Sequence, residues 1–209
     1  MALKHKNLEF ELINLKLRNV SKEISDLTNG AWNRVPVLKR DDGQIVYDSD
    51  TIATYLEQEH PDKPLLFPNG NYYNQFLQNY MFSMDTFKCA ILDIYDNFED
   101  KEDKEYFKSS REGMFKVSLE KFAGNREELL PNVDLWLAPF RGSLAKYKFL
   151  EGEKATYSDF LLFGSIKSLQ ISSKFLFEYI VVKSKDESIK KWFEAIQALY
   201  DGYAKKADP

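Results

Sequence analysis

The chain has 209 residues, 44% of them apolar and 30% charged, with a net charge of −4. That is an ordinary soluble balance, long enough for one large or two small domains with cores of their own. It shows no apolar run near the ~20 residues of a membrane span, no visible secretory signal and no basic stripe, which argues against a membrane or nucleic acid as partner. The single cysteine, Cys89, excludes an internal disulfide and fits a reducing, cytoplasmic compartment. With only His5 and His60 beside it, an ordinary structural zinc site cannot be built, so no metal is expected.

Residues 8–15 (LEFELINL) alternate, with Leu8, Phe10 and Leu12 on one face and Glu9, Glu11 and Ile13 on the other, the period of a β-strand. Residues 20–29 read as a weak, polar helix or a loop. Val35-Pro36-Val37-Leu38 is a short apolar strand containing a proline, which a sheet tolerates only at an edge, a strand start or a bulge. Such a proline is often cis, and the backbone groups of its neighbour are left to pair with something else. Asp41-Asp42-Gly43 followed by Ile45-Val46-Tyr47 predicts a hairpin. Asp48-Ser49 opens a helix through Leu56 that ends near His60, before Pro61. Ser49 at its head offers a hydroxyl and backbone N–H groups to an anion.

The proline-rich stretch 61–68 is too short and rigid for a disordered tether, and it divides the chain into 1–67 and 68–209. Beyond it the apolar spacing is helical nearly throughout, over 72–98, 102–122, 126–147, 156–173 and 185–204. Pro131 and Pro139 are expected to bend or interrupt the third of these. Thr156 with Asp159 three residues on is a variant capping box, with Asp in place of Glu or Gln, ahead of the apolar run 160–163. Both are read as structural.

Arg34-Val35-Pro36-Val37-Leu38, the Asp48-Ser49 pair, Ile52, Tyr55-Leu56 and Pro61-Asp62-Lys63-Pro64-Leu65-Leu66-Phe67 together resemble the glutathione-binding half of a glutathione transferase. Ala155-Thr156-Tyr157-Ser158-Asp159-Phe160 is similar to the capped, buried helix of that family's C-terminal domain. Each motif alone is common; their order and separations in one chain make the resemblance specific. It implies an α+β architecture, a thioredoxin-like N-terminal domain followed by an all-helical C-terminal domain. Within the superfamily, Ala2-Leu3-Lys4-His5-Lys6, Val46-Tyr47-Asp48-Ser49, Pro61-Asp62-Lys63-Pro64, Ile91-Leu92-Asp93-Ile94-Tyr95-Asp96, Ser110-Arg111-Glu112 and Tyr200-Asp201-Gly202 resemble the etherase-like branch of fungal enzymes and bacterial lignin β-etherases. On this alignment residues 1–10 match the end of the first helix running into the second strand. The thioredoxin-like domain is therefore expected to be incomplete, its first strand absent and its catalytic serine, cysteine or tyrosine placed before Met1.

The resemblance implies glutathione as co-substrate. Val35 would pair through its backbone with the cysteinyl unit, an added-strand contact shaped by Pro36. Ser49 would take the γ-glutamyl carboxylate and Asp48 its amine; Arg34 would hold the glycyl carboxylate or simply be solvated. Tyr80, Met84 and Phe87 share one helical face, which would either line the pocket of a hydrophobic or aromatic co-substrate or belong to the core. Cys89 is read as a small core residue, and His5 and His60 as surface residues near helix ends. The expected activity is transfer of glutathione to hydrophobic electrophiles or cleavage of aryl ethers by a homodimer. The alternative is a non-catalytic binding or interaction protein on the same scaffold.

Overall fold

The computed structural model of the chain describes residues 1–68, 83–184 and 186–206. A short helix α1 (Ala2–His5) leads into residues 8–16, which carry no regular secondary structure and pair with no strand among the described residues. The strand expected at 8–15 is therefore not formed: a ladder needs a neighbour, and Leu12 and Ile13 stand 65% and 78% exposed. A 3₁₀ turn, Leu17–Asn19, enters α2 (Val20–Leu27), so the weak helical reading of 20–29 resolves to helix.

The hairpin forms as its turn chemistry requires. Strands β1 (Val37–Lys39) and β2 (Ile45–Tyr47) pair antiparallel, with Val37 opposite Tyr47, Leu38 opposite Val46 and Lys39 opposite Ile45. Pro36 sits just outside β1 rather than inside the strand, since it has no N–H to give the ladder. The turn closes with Gly43 N–H to Arg40 C=O at 3.0 Å and Arg40 N–H to Gln44 C=O at 2.9 Å. Gly43 has φ +89°, a conformation that suits a residue without Cβ. Helix α3 (Ser49–Glu59) follows directly and packs on both strands.

Among the described residues the helical half comprises α4 (Met84–Asp96), α5 (Lys101–Phe115), α6 (Leu119–Ala123), α7 (Arg126–Leu144), α8 (Tyr157–Ser172), α9 (Lys174–Phe177) and α10 (Ser188–Lys206), with a π-helical turn Glu178–Val182 after α9. The single helix expected at 102–122 is broken in two. Lys116 turns left-handed (φ +60°), and Ser118 caps a new start by accepting Lys121 N–H at 3.3 Å. In contrast, α7 runs through both Pro131 and Pro139. Its buried face of Val133, Trp136, Leu137 and Phe140 supplies the packing that offsets the lost backbone bonds. Helix α10 contains a left-handed interruption at Tyr200, Asp201 and Gly202.

The architecture is a thioredoxin-like N-terminal domain with a small two-stranded sheet, followed by an all-helical C-terminal domain. One core joins them: Ala53 and Leu56 of α3 and Leu66 of the connecting stretch are buried with Phe140, Phe160, Ile166 and Trp192. Leu66 is locked there by its carbonyl, which accepts Tyr157 N–H at 3.0 Å. A second cluster gathers Ile91, Phe107, Leu119 and Ala123, with Phe87, Phe115 and Phe122 against it. No described helix is long and apolar enough to cross a membrane.

Polar ties fix the N-terminal residues against this body. Lys6 is fully buried and ion-paired to Glu57, and it donates to the His60 carbonyl at 3.2 Å. Burial works against the Glu57 charge, but the N–H groups of Leu66 and Phe67 and the Lys6 ammonium outweigh it and hold the carboxyl below its usual range. His5, expected at the surface, is half-buried: its Nε2 donates to Leu65 C=O at 2.9 Å and its Nδ1 accepts from the Tyr200 hydroxyl at 2.7 Å. Burial lowers its pKa from the ordinary 6.5. Leu17 and Arg18 are held by Asp103, through their N–H groups at 3.2 and 3.0 Å, and the Arg18 guanidinium reaches Asp100, Glu102 and Asp103.

Candidate functional site

The N-terminus of α3 is the best-defined element of the site. Asp48, not Ser49, is the cap residue: its carboxylate accepts the N–H and the hydroxyl of Thr51, both at 3.1 Å. Ser49 is the first helical residue. Its N–H and that of Asp50 meet no acceptor among the described residues, and neither does the Ser49 hydroxyl. Such a helix start favours an anion through its open N–H groups and its dipole. Asp50 is occupied elsewhere, accepting the Tyr157 hydroxyl of α8 at 3.0 Å. Asp48 is held at φ +73°, ψ +132°, a region that non-glycine residues rarely occupy and that costs about 1–3 kcal/mol.

Val35 and Pro36 form the neighbouring edge. The Val35–Pro36 bond is cis, Val35 is 58% exposed, and neither its N–H nor its carbonyl pairs with another described residue. Through the Val37–Tyr47 pair this edge lies directly across the hairpin from Asp48 and Ser49. The structure thus brings Val35, Pro36, Asp48 and Ser49 to one end of the two-stranded sheet. Arg34 is exposed there, with its guanidinium 4.7 Å from the centre of the Trp32 ring. A cleft of about 550 Å³ runs along β2 and α3, lined by Gln44, Asp48, Thr51, Tyr55 and Gln58; it takes in Asp48 but not Val35 or Ser49.

The other sequence-selected residues lie apart from this edge. Tyr80 falls outside the described residues. Met84 opens α4 and is 57% exposed, whereas Phe87 packs in the second cluster with Phe115 and Phe122 at 6.2 and 6.1 Å between ring centres. Thr156 is the cap residue of α8. The Asp159 carboxylate is fully buried and accepts Thr156 N–H and Leu150 N–H at 2.9 Å, Trp192 Nε1–H at 2.8 Å, and lies 3.2 Å from the Thr156 hydroxyl. Cys89 is buried between α4 and α7, and burial pushes its thiol above the ordinary value, so it is no thiolate at neutral pH.

Three contributions went unread in the sequence. Trp32 stacks on Tyr47 at 5.2 Å with 18° between the rings, and its backbone is pinned to the buried Thr28 hydroxyl. Asp50 links α3 to α8. Lys6 with Glu57 and His5 with Tyr200 tie the first residues to the connection and the C-terminus. Trp32-x-Arg34 immediately before Val-Pro was the available signal for the first; nothing local marks the others.

Two family models match the chain: a glutathione S-transferase N-terminal domain over residues 1–64 and a glutathione S-transferase C-terminal domain over residues 71–200. Rat glutathione S-transferase omega-1 is 23% identical over 193 residues, covering 77% of this chain and 78% of that one. Among solved structures, a glutathione transferase of Phanerochaete chrysosporium superposes with a TM-score of 0.70 at 24% identity, covering 98% of this chain and 83% of its own. A glutathione S-transferase of Ceriporiopsis subvermispora, determined in complex with glutathione, superposes with a TM-score of 0.78 at 17% identity, over 100% and 89% of the two chains. The fold, its motifs and the family models agree, and the chain belongs to the glutathione S-transferase family.

Proposed function

We propose that the chain binds glutathione along the Val35–Pro36 edge and the start of α3, and transfers it to hydrophobic or aromatic electrophiles or uses it to cleave aryl ethers. The observation that carries this reading is an acid and an open helix N-terminus on adjacent residues, Asp48 and Ser49. A γ-glutamyl end carries an ammonium and a carboxylate on one carbon, and this pair answers both. A simple anion would be repelled by Asp48 and a simple cation by the helix start, so a zwitterion is the best-matched ligand. Val35 then adds two backbone hydrogen bonds to the cysteinyl unit, and Arg34 meets the glycyl carboxylate. In the reaction the thiolate forms a C–S bond at the electrophilic or ether carbon as the leaving group departs with the bonding pair. Proximity and desolvation at the edge would supply much of the rate.

The etherase-like assignment rests on the sequence motifs at 2–6, 46–49 and 91–96, and Met84 is retained as a candidate contact for the acceptor. The domain boundary near residue 68, the homodimer, and a cytoplasmic detoxification role belong to the same reading. The second reading is a non-catalytic binding role on the same scaffold; Cys89, buried in the helical half, is placed to assist the glutathione sulfur in neither. A thermal-shift series with glutathione, followed by a conjugation assay with an aryl halide, separates the two. A ligand at 100 times its Kd stabilises by about 2.7 kcal/mol, an easily read shift. A shift with turnover supports the transferase; a shift without turnover supports the binding protein; no shift refutes the glutathione site.

A further inference from the structure

Arg18, Arg40, Arg126 and Arg141 each meet a carboxylate, and Arg111, over the Phe107 ring at 5.0 Å, donates to the Ser110 hydroxyl; Arg34 has neither a carboxylate nor any other hydrogen-bond partner among the described residues. Its only described contact is the face of Trp32, at 4.7 Å. Trp32 is itself built in. Its N–H donates to the Thr28 hydroxyl at 3.0 Å, its carbonyl lies 2.8 Å from the same oxygen, and its ring stacks on Tyr47, the residue before Asp48. The indole Nε1 is buried and has no hydrogen-bond partner among the described residues. An orphaned buried donor is unfavourable, so the ring is not held by its N–H; what it contributes is its flat face. A guanidinium laid on such a face keeps its charge and its outward donors while losing rotamer freedom, which prepares it for an anion.

We propose that Trp32 is a positioning residue that aims Arg34 at the glycyl carboxylate, so that Trp32 and Arg34 act as one unit in selecting glutathione over its glycine-free precursor, γ-glutamylcysteine. This rests on the glutathione-site reading above and deepens it. Tyr47 joins the unit to the other end of the clamp: it stacks on the indole of Trp32, is paired with Val37 and is followed by Asp48 and Ser49. The two ends of the peptide are thereby read by one stacked array.

The test measures Kd for glutathione and for γ-glutamylcysteine with the full chain and its variants, each checked for folding by circular dichroism. The wild type is expected to favour glutathione by about threefold to fivefold, the upper worth of one solvent-exposed charge contact. Arg34→Ala and Trp32→Ala should each abolish that preference while leaving γ-glutamylcysteine within about twofold, and the double variant should be no worse than either. Trp32→Phe should keep most of the preference, because it retains a face and loses no hydrogen bond. Arg34→Lys, which keeps the charge but has no planar fork to stack, should lose most of it; this variant carries the test if Trp32→Ala does not fold. Full preference in Arg34→Lys, equal weakening of both ligands by Trp32→Ala, or additive losses in the double variant would overturn the proposal. Equal wild-type affinity for the two ligands would overturn it and leave the clamp standing, whereas binding of neither would remove the clamp as well.

Discussion

Asp159→Ala should be the most destabilising single change in the helical half, because of what it strands rather than what it removes. The Asp159 carboxylate is the buried acceptor for Leu150 N–H, Thr156 N–H and Trp192 Nε1–H, at 2.8 to 2.9 Å. Truncation leaves three donors inside a core built from Phe163, Ile166 and Trp192. Each unpaired buried donor costs about 1–3 kcal/mol, and partial relaxation or an entering water recovers some of it, so the loss should be about 3–5 kcal/mol. For a chain of this size that lowers Tm by roughly 10 °C. Urea denaturation followed by far-UV circular dichroism gives the value directly. Trp192→Phe removes one donor and leaves one lone pair of Asp159 still used by Leu150, so it should cost about 1 kcal/mol. In the Asp159→Ala background the same change should cost less, since the indole N–H is already stranded. A loss below about 1 kcal/mol for Asp159→Ala, or strict additivity of the pair, would refute the claim that this carboxylate organises the core.

Two further predictions concern the ties of the first residues. Glu57→Ala should cost about 3–5 kcal/mol by stranding the fully buried Lys6 ammonium, whereas Lys6→Met with Glu57→Gln should be far milder; comparable losses for both would contradict the buried-pair account. His5 is held neutral, with a folded pKa below 6.5 caused first by burial. Its stabilising contribution is therefore complete above the unfolded value and declines as pH falls below about 6.5 toward the lower folded value. Thermal midpoints recorded from about pH 8 to about pH 5.5 should fall more steeply for the wild type than for His5→Gln, and parallel curves would refute the role.

Local chemistry was legible; pairing and long-range ties were not. Asp42-Gly43 between apolar runs marked the hairpin, Pro36 marked where its first strand begins, and Thr156 with Asp159 marked a helix start, since each acts within a few residues. The irregular stretch 8–16 shows the limit of that reasoning. Its alternation is a statement about faces, and a face becomes a strand only beside another strand; none of the described residues offers one. The break at Lys116 was hidden because a left-handed lysine carries no compositional mark, unlike a glycine. His5 looked like a surface residue because its partners, Leu65 and Tyr200, are 60 and 195 residues away. In the site, Asp48 and Ser49 stood out, yet the division of labour did not. Only the backbone conformation shows that Asp48 caps the helix and that Ser49 keeps its hydroxyl for something else. Trp32 carries no mark in the sequence because its role depends on stacking against Tyr47, fifteen residues away on the second strand of the hairpin.

The most direct test of the central claim is a calorimetric titration of the 209-residue chain with glutathione, repeated on Ser49→Ala. Saturable one-site binding to the wild type is expected, weakened at least about tenfold by removal of the Ser49 hydroxyl, with the fold unchanged because Asp48 and not Ser49 is the cap. No binding by a folded wild-type chain, or binding indifferent to Ser49, would contradict that claim.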